Sequence, residues 1–250
     1  MADEQERNAV EPGTLYLVST PIGNLEDITL RALKVLKAVD VIACEDTRHS
    51  LKLLNHYEIK KRLVAYHSYN ERNSSFGLVQ LLEQGNSVAV ITDGGTPCIS
   101  DPGAVAVRAC IEAGFPIVAV PGATAVIPAL VVSGMRTDTF HFFGFLSCKG
   151  GKRRHELKAM QSLEGTLVLY ESTHRIFKLL ADIAEIFPDY QVCVCKEISK
   201  INEKVYRGTA VQLLKCMEED KNAGEYVVMI ANYSQRKKDE TISEKSIQDE

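Results

Sequence analysis

Residues 87–103 read SVAVITDGGTPCISDPG. Ser87–Thr92 is a short apolar run of β-branched residues, the composition of a strand buried on both faces of a sheet. The stretch Thr92–Gly103 that follows joins adjacent glycines to Pro97 and Pro102 and to the oxygens of Thr92, Asp93, Thr96, Ser100 and Asp101. Such a composition makes a rigid turn whose backbone amides can face a ligand at close range. The turn lacks the GxxxxGK[ST] pattern, so nothing supplies the phosphate-binding lysine of a nucleoside triphosphatase. No GxGxxG follows the first strand, which argues against a dinucleotide site and against the single-sheet methyltransferase fold.

Similar apolar runs recur on either side, at Leu15–Ser19, Val39–Cys44, Leu63–Tyr66 and Pro116–Val120, with helical periodicity between them. Strands alternating with helices predict an α/β domain built on a mostly parallel sheet, over residues 13–121. After Pro121-Gly122 comes a helix of small residues, Ala123–Ser133, and strands resume at Thr139–Phe145, Thr166–Tyr170, Gln191–Glu197, Lys204–Tyr206 and Glu225–Ala231. The short connection between Gln191–Glu197 and Lys204–Tyr206 predicts a hairpin, hence a second α/β domain with a mixed sheet over 122–233. Its helices are expected at Lys152–Ser162, Thr173–Phe187 and Thr209–Asp220. Residues 1–12 and the polar stretch 234–250 have no apolar period and are expected to be disordered.

Ligands in open α/β sheets bind beyond the carboxyl ends of strands, so the strand ends hold the candidate chemistry. The first strand ends in Ser19-Thr20-Pro21-Ile22-Gly23-Asn24, with Asp27 a candidate N-cap for the helix that follows. The second ends in Glu45-Asp46-Thr47-Arg48-His49. Its acids suit the start of a helix; its cations do not, unless an anion or a buried partner is present. A fourth loop, Pro121-Gly122-Ala123-Thr124-Ala125, opens a helix whose amides could approach a carboxylate. In the second half, Tyr170-Glu171-Ser172-Thr173-His174-Arg175 and Lys196-Glu197-Ile198-Ser199-Lys200 occupy equivalent positions.

The 250-residue chain is 45% hydrophobic and 25% charged, with a net charge of -4 that comes entirely from its ends. Between residues 12 and 233 there are 24 acids and 24 bases. Within that neutral stretch, Lys149-Gly150-Gly151-Lys152-Arg153-Arg154-His155 concentrates positive charge and is a candidate anion site. No run is long and apolar enough for a membrane span, and the acidic N-terminus is unlike a signal peptide, so a cytoplasmic protein without a membrane partner is expected. Of the seven cysteines, Cys44, Cys98, Cys110, Cys193 and Cys195 sit in or beside apolar runs and read as free core thiols. No Cys or His cluster has the spacing of a zinc site.

The segments PIGNLEDITLRAL, CEDTRH, TDGGTPCISDPG, PGATA, GFL at 144–146, YESTHR and KEISK, in this order from Thr14 to Tyr233, resemble those of the tetrapyrrole methylase superfamily. Within it they are most similar to the enzymes that methylate a cytidine ribose 2'-hydroxyl in 16S ribosomal RNA. The resemblance implies a tetrapyrrole-methylase-like (class III methyltransferase) homodimer of two α/β domains with S-adenosyl-L-methionine in the cleft between them. Carried onto this sequence, it implies cofactor contacts from Pro21, Gly94, Gly95, Thr96, Ile99, Thr124, Ala125, Tyr170, Glu171 and Ile198. The implied substrate is a decoding-centre cytidine of 16S rRNA in the small ribosomal subunit.

A ribose hydroxyl is a weak acid, so its methylation benefits from a base or from a cation that stabilises the alkoxide. Glu45, Asp46, Arg48, Glu197 and Lys200 are the catalytic candidates by charge and position. An rRNA substrate makes Lys149, Lys152, Arg153 and Arg154 candidate phosphate contacts. This chain has Asp93-Gly94-Gly95-Thr96-Pro97 where the family usually reads D-A-G-T-P, and longer members continue into a helical region where this one has its polar tail. Two other readings are a methylase of the same fold acting on a tetrapyrrole or other small molecule, and a non-catalytic RNA-binding or assembly protein. EDTRH and YESTHR speak against the first, and cofactor binding would exclude the second.

Overall fold

A computed structural model describes residues 9–66, 71–218 and 223–233. The expectations for residues 1–8 and 234–250, and for the end of the helix at Thr209–Asp220, lie outside these. The chain divides into two units, one of residues 1–125 with Ile198–Ile201 and the other of 126–197 with 202–250. The expected boundary fell at 121/122 and left Ile198–Ile201 in the second half.

The first unit carries strands β1 (Leu15–Val18), β2 (Val41–Cys44), β3 (Arg62–Ala65), β4 (Val88–Ile91) and β5 (Ile117–Val120). They form one sheet in the order β3-β2-β4-β1-β5. All of its pairings are parallel, as the continuous apolar runs predict. Helices α1 (Leu30–Ala38), α2 (Thr47–His56), α3 (Glu71–Glu83) and α4 (Ala104–Glu112) supply the crossovers. Burial on both faces holds for the inner strands β2 and β4, whose residues are all buried. It fails for β3 and β5, the edge strands, where residues stay partly exposed because a neighbour lies on one side only. One core cluster joins Val35 and Leu36 of α1 to Ile42 and Ile91, and another joins Leu78 and Leu82 of α3 to Val41 and Val90. Each such side chain contributes about 1.5–3 kcal/mol on burial.

The second unit carries β6 (Phe140–Phe145), β7 (Gly165–Ser172), β8 (Gln191–Lys196), β9 (Lys204–Thr209) and β10 (Glu225–Asn232) in the order β6-β7-β10-β8-β9. β6 runs parallel to β7 and the other pairs are antiparallel, so the expected mixed sheet and the β8–β9 hairpin are both present. Helices α6 (Gly150–Met160), α7 (Ile176–Ile186) and α8 (Ala210–Cys216) bury Leu157, Leu179, Ile183 and Leu213 against Leu167, Val194 and Val228 of the sheet. Thr209 and Gln212 close a capping box at the start of α8.

Helix α5 (Val126–Ser133) packs on β8, β9 and β10. It begins three residues after the expected Ala123, because Ala123 is held by the loop after β4. At its other end Arg207 donates to the carbonyls of Val132 and Ser133, which satisfies carbonyls the helix leaves open and places a cation at the negative end of its dipole. Cys193 and Cys195 share a buried face of β8 with their sulfurs 4.0 Å apart. Cys44 and Cys110 are buried as expected, and Cys98 is half-buried.

Candidate active site

Because the strands of the first sheet are parallel, the loops after β1, β2, β4 and β5 all leave it at the same end. Hydrogen bonds join three of them directly. Thr20 and Gly95 exchange two backbone bonds of 2.9 Å, and the Thr20 hydroxyl donates to Thr92 O at 3.3 Å. The Thr96 hydroxyl donates to Ala123 O at 3.0 Å. Its single proton is thereby used, so Ser19 Oγ, 3.0 Å away, is the donor to Thr96 Oγ1. Loops one, three and four are thus joined by backbone and by the hydroxyls of Ser19, Thr20 and Thr96. Gly95 sits at φ 89, where a Cβ is strained, and a Cβ on Gly122 would stand 2.8 Å from Ser19 Cβ. Cys98 (φ 73) and Ser100 (φ 64) are also left-handed, so the turn after Pro97 is tightly wound.

Loop two explains its own anomaly. Asp46 caps α2 by accepting from Arg48 N at 2.8 Å, and the same carboxylate accepts from the Arg48 guanidinium at 3.4 and 3.2 Å. The cation tolerated at this helix start is therefore paired with the capping anion. The Arg48 side chain is nevertheless 89% exposed. Hydrogen bonds from Arg48 hold the Asp46 carboxyl below its ordinary value. Asp46 N donates to Asp93 Oδ1 at 3.2 Å, which ties loop two to loop three.

A segment from far along the chain, which holds the expected Ile198 and Lys200, belongs to the first unit. Lys200 lies with its aliphatic stem against Gly23, and Ser199 donates to the Asp27 carboxylate. Asp27 is thus not the helix cap the sequence suggests. Asn24 caps the short turn at Leu25–Asp27, and Thr29 caps α1 by accepting from Ala32 N at 3.0 Å. Ile198 is buried in the same segment, whereas Ile99 of loop three is exposed. Pro21, Gly94, Thr124 and Ala125 are half-buried at the strand ends.

Within the second unit, Glu197 (φ 53) directly follows β8 and accepts from Glu225 N at 2.8 Å, so this carboxylate fastens the start of β10. Tyr170 packs edge-on against Phe142 and Phe145. The Glu171 side chain is fully enclosed: Oε1 accepts from Ser172 N at 2.8 Å and lies 3.2 Å from Arg175 Nε, an ion pair without hydrogen-bond alignment. Its Oε2 has no partner among the described residues. Arg175 donates to Leu146 O at 2.6 Å, joining the YESTHR and GFL segments.

The basic segment opens α6, with Lys149 at its N-cap, and Arg153, expected to meet RNA, is instead buried with its Nε 2.7 Å from Asp182. Arg154 reaches the same carboxylate at 3.3 Å. Four cations at a helix start repel its dipole, and the buried Asp182 offsets two of them. Lys149 and Lys152 are exposed, the latter 3.9 Å from Glu156. Ser19 and Asp93, in candidate loops but not among the expected site residues, help to join those loops. Both stand at strand ends, but their roles depend on partners 77 and 47 residues away.

A model of the tetrapyrrole (corrin/porphyrin) methylases matches residues 14–214. Ribosomal RNA small subunit methyltransferase I of Pasteurella multocida is 46% identical over 231 residues, which is 91% of this chain and 82% of that protein. The protein of the same name from Escherichia coli O157:H7 is 43% identical over 230 residues, 91% of this chain and 80% of that one. Among solved structures, uroporphyrin-III-C-methyltransferase from Thermus thermophilus superposes with a TM-score of 0.63 at 24% identity, over 88% of this chain and 95% of that one. That likeness concerns the fold alone. The chain belongs to the tetrapyrrole (corrin/porphyrin) methylase family and, within it, to the group formed by these ribosomal RNA small subunit methyltransferase I proteins.

Proposed function

We propose that this protein transfers a methyl group from S-adenosyl-L-methionine to the ribose 2'-hydroxyl of a decoding-centre cytidine in the 16S rRNA of the small ribosomal subunit. The observation that carries the reading is the joining of loops one, three and four through Thr20–Gly95 and Ser19–Thr96–Ala123. Glycines and short side chains predominate in these joined loops, which suits a ligand held through backbone amides and apolar contact more than by charge. Pro21, Gly94, Gly95, Thr96, Ile99, Thr124, Ala125 and Ile198 are the residues that would hold it. When bound, the cofactor supplies an electrophilic methyl group on a sulfonium centre.

What remains for the protein is to position and deprotonate the hydroxyl. Asp46, kept anionic by Arg48, is a poor proton acceptor and serves instead to hold Arg48. Arg48 and Lys200 are the cations assigned to the developing alkoxide, and Glu45 the carboxylate assigned to its proton. Glu197 is left out because its carboxylate fastens β10. Lys149 and Lys152 are the phosphate contacts retained from the basic segment. The protein acts in the cytoplasm as a homodimer, and the exposed Ile127, Val131 and Val132 of α5 offer an apolar face for a second copy. Among the described residues no helix is long and apolar enough to cross a membrane.

The test is transfer of labelled methyl groups to small subunits lacking the modification, with tetrapyrrole precursors in parallel. Label in rRNA and none in the precursors is expected. Label in the precursors alone, or in neither, overturns the reading.

A further inference from the structure

A second concentration of positive charge begins at the loop after β2 and runs along α2 to the start of β3. Residues 47–62 hold five lysines and arginines, Arg48, Lys52, Lys60, Lys61 and Arg62, against a single acid, Glu58. Arg48, Lys52 and His56 recur at four-residue spacing, which sets them along one side of α2, and all three are exposed. The helix has ten residues, so this line runs roughly 15 Å from the Asp46 cap toward the start of β3.

There it meets a groove of about 430 Å³ between α2 and the edge strand β3. Leu54 and Ile59, both buried, form its floor, and Leu51, 43% exposed, lies on its wall. Lys60, Lys61 and Arg62 form the rim. Lys61 acts on Asp40, whose carboxylate is already taken by Ser87. Lys60 and Arg62 are exposed and take part in no ion pair among the described residues. An apolar floor under a cationic rim suits a nucleotide, with ribose or base on the hydrocarbon and phosphate on the charge.

We propose that this groove is a second RNA-contact surface, in which Lys60 and Arg62 hold backbone phosphates of an unpaired rRNA strand that follows α2 from the Asp46–Arg48 loop. The 15 Å path corresponds to roughly four stacked nucleotides. The inference rests on the proposed action on rRNA.

The variant Lys60→Ala with Arg62→Ala tests it, in the full-length protein, with small subunits lacking the modification as the RNA probe. Removing two phosphate contacts should lower the slope of log affinity against log salt by about 1.5 and weaken binding roughly tenfold at moderate salt. Calorimetric affinity for S-adenosyl-L-methionine and the circular dichroism spectrum should not change, and Lys60→Arg with Arg62→Lys should restore binding. Lys178→Ala, an exposed cation on α7, is the matched control and should behave as wild type. Wild-type binding with the same affinity and slope in the double variant overturns the groove while leaving the proposed function intact. Wild-type protein that neither binds nor methylates the subunit overturns both.

Discussion

Thr20 and Gly95 exchange two backbone hydrogen bonds of 2.9 Å, joining the loop after β1 to the loop after β4 across the end of the first sheet. Within this pair Gly95 takes φ 89, a conformation that strains any residue with a Cβ. Gly95→Ala should destabilise the protein by about 1–2 kcal/mol and abolish measurable cofactor binding. The neighbouring Gly94 differs. It does not lie in the left-handed region, and a Cβ would come 3.1 Å from Pro21 O, a tight contact that a shift of a few tenths of an ångström would relieve. Gly94→Ala, which produces the sequence usual in the family, should therefore change stability by less than about 1 kcal/mol and keep cofactor binding. Denaturant midpoints and calorimetric titration of both variants check the contrast.

Arg153 and Asp182 form a buried ion pair, and breaking it leaves a carboxylate that Arg154 compensates only in part. Arg153→Ala should cost about 2–3 kcal/mol of stability. Lys152→Ala, at an exposed position, should leave stability unchanged and weaken rRNA binding. Chemical denaturation and filter binding of the two variants separate a structural cation from one that meets RNA.

Arg48 is exposed yet held by the cap it follows, the arrangement expected of a cation that waits for a negative charge. Arg48→Ala should reduce single-turnover methyl transfer by about 10²-fold with cofactor affinity unaltered. An unaltered rate would remove Arg48 from the proposed chemistry.

In the second unit, the Arg136 guanidinium beside Asp138 lowers that carboxyl from an ordinary 3.8 to about 2. A lowered folded value stabilises the protein above pH 3.8 and loses that contribution as pH falls toward 2. Both groups are exposed, so the effect on stability is small and the titration itself is the better measurement. The Asp138 carboxyl ¹³C shift should titrate near 2 in the wild type and move back toward 3.8 in Arg136→Gln.

The parts of this fold that were legible in the sequence are those that local chemistry decides. Ser87–Thr92 and Val39–Cys44 are apolar without alternation because β4 and β2 are covered on both faces, and the short link from β8 to β9 leaves little besides a hairpin. The turn at Thr92–Gly103 was legible because glycine and proline restrict backbone wherever they stand. What escaped the sequence depends on distant partners. Arg153 reads as a surface cation until Asp182 arrives from α7, and Asp27 reads as a cap until Ser199 arrives from 172 residues away. The start of α5 escaped for the same reason, since Ala123 is a good helix former whose carbonyl is claimed by Thr96.

The most direct measurement is nucleoside mass spectrometry of 16S rRNA recovered from unmodified small subunits after incubation with the protein and S-adenosyl-L-methionine. The expected product is 2'-O-methylcytidine, absent when Gly95→Ala replaces the wild type. A methyl group on a base, or rRNA that gains no methyl group at all, would refute ribose 2'-O-methylation by this protein.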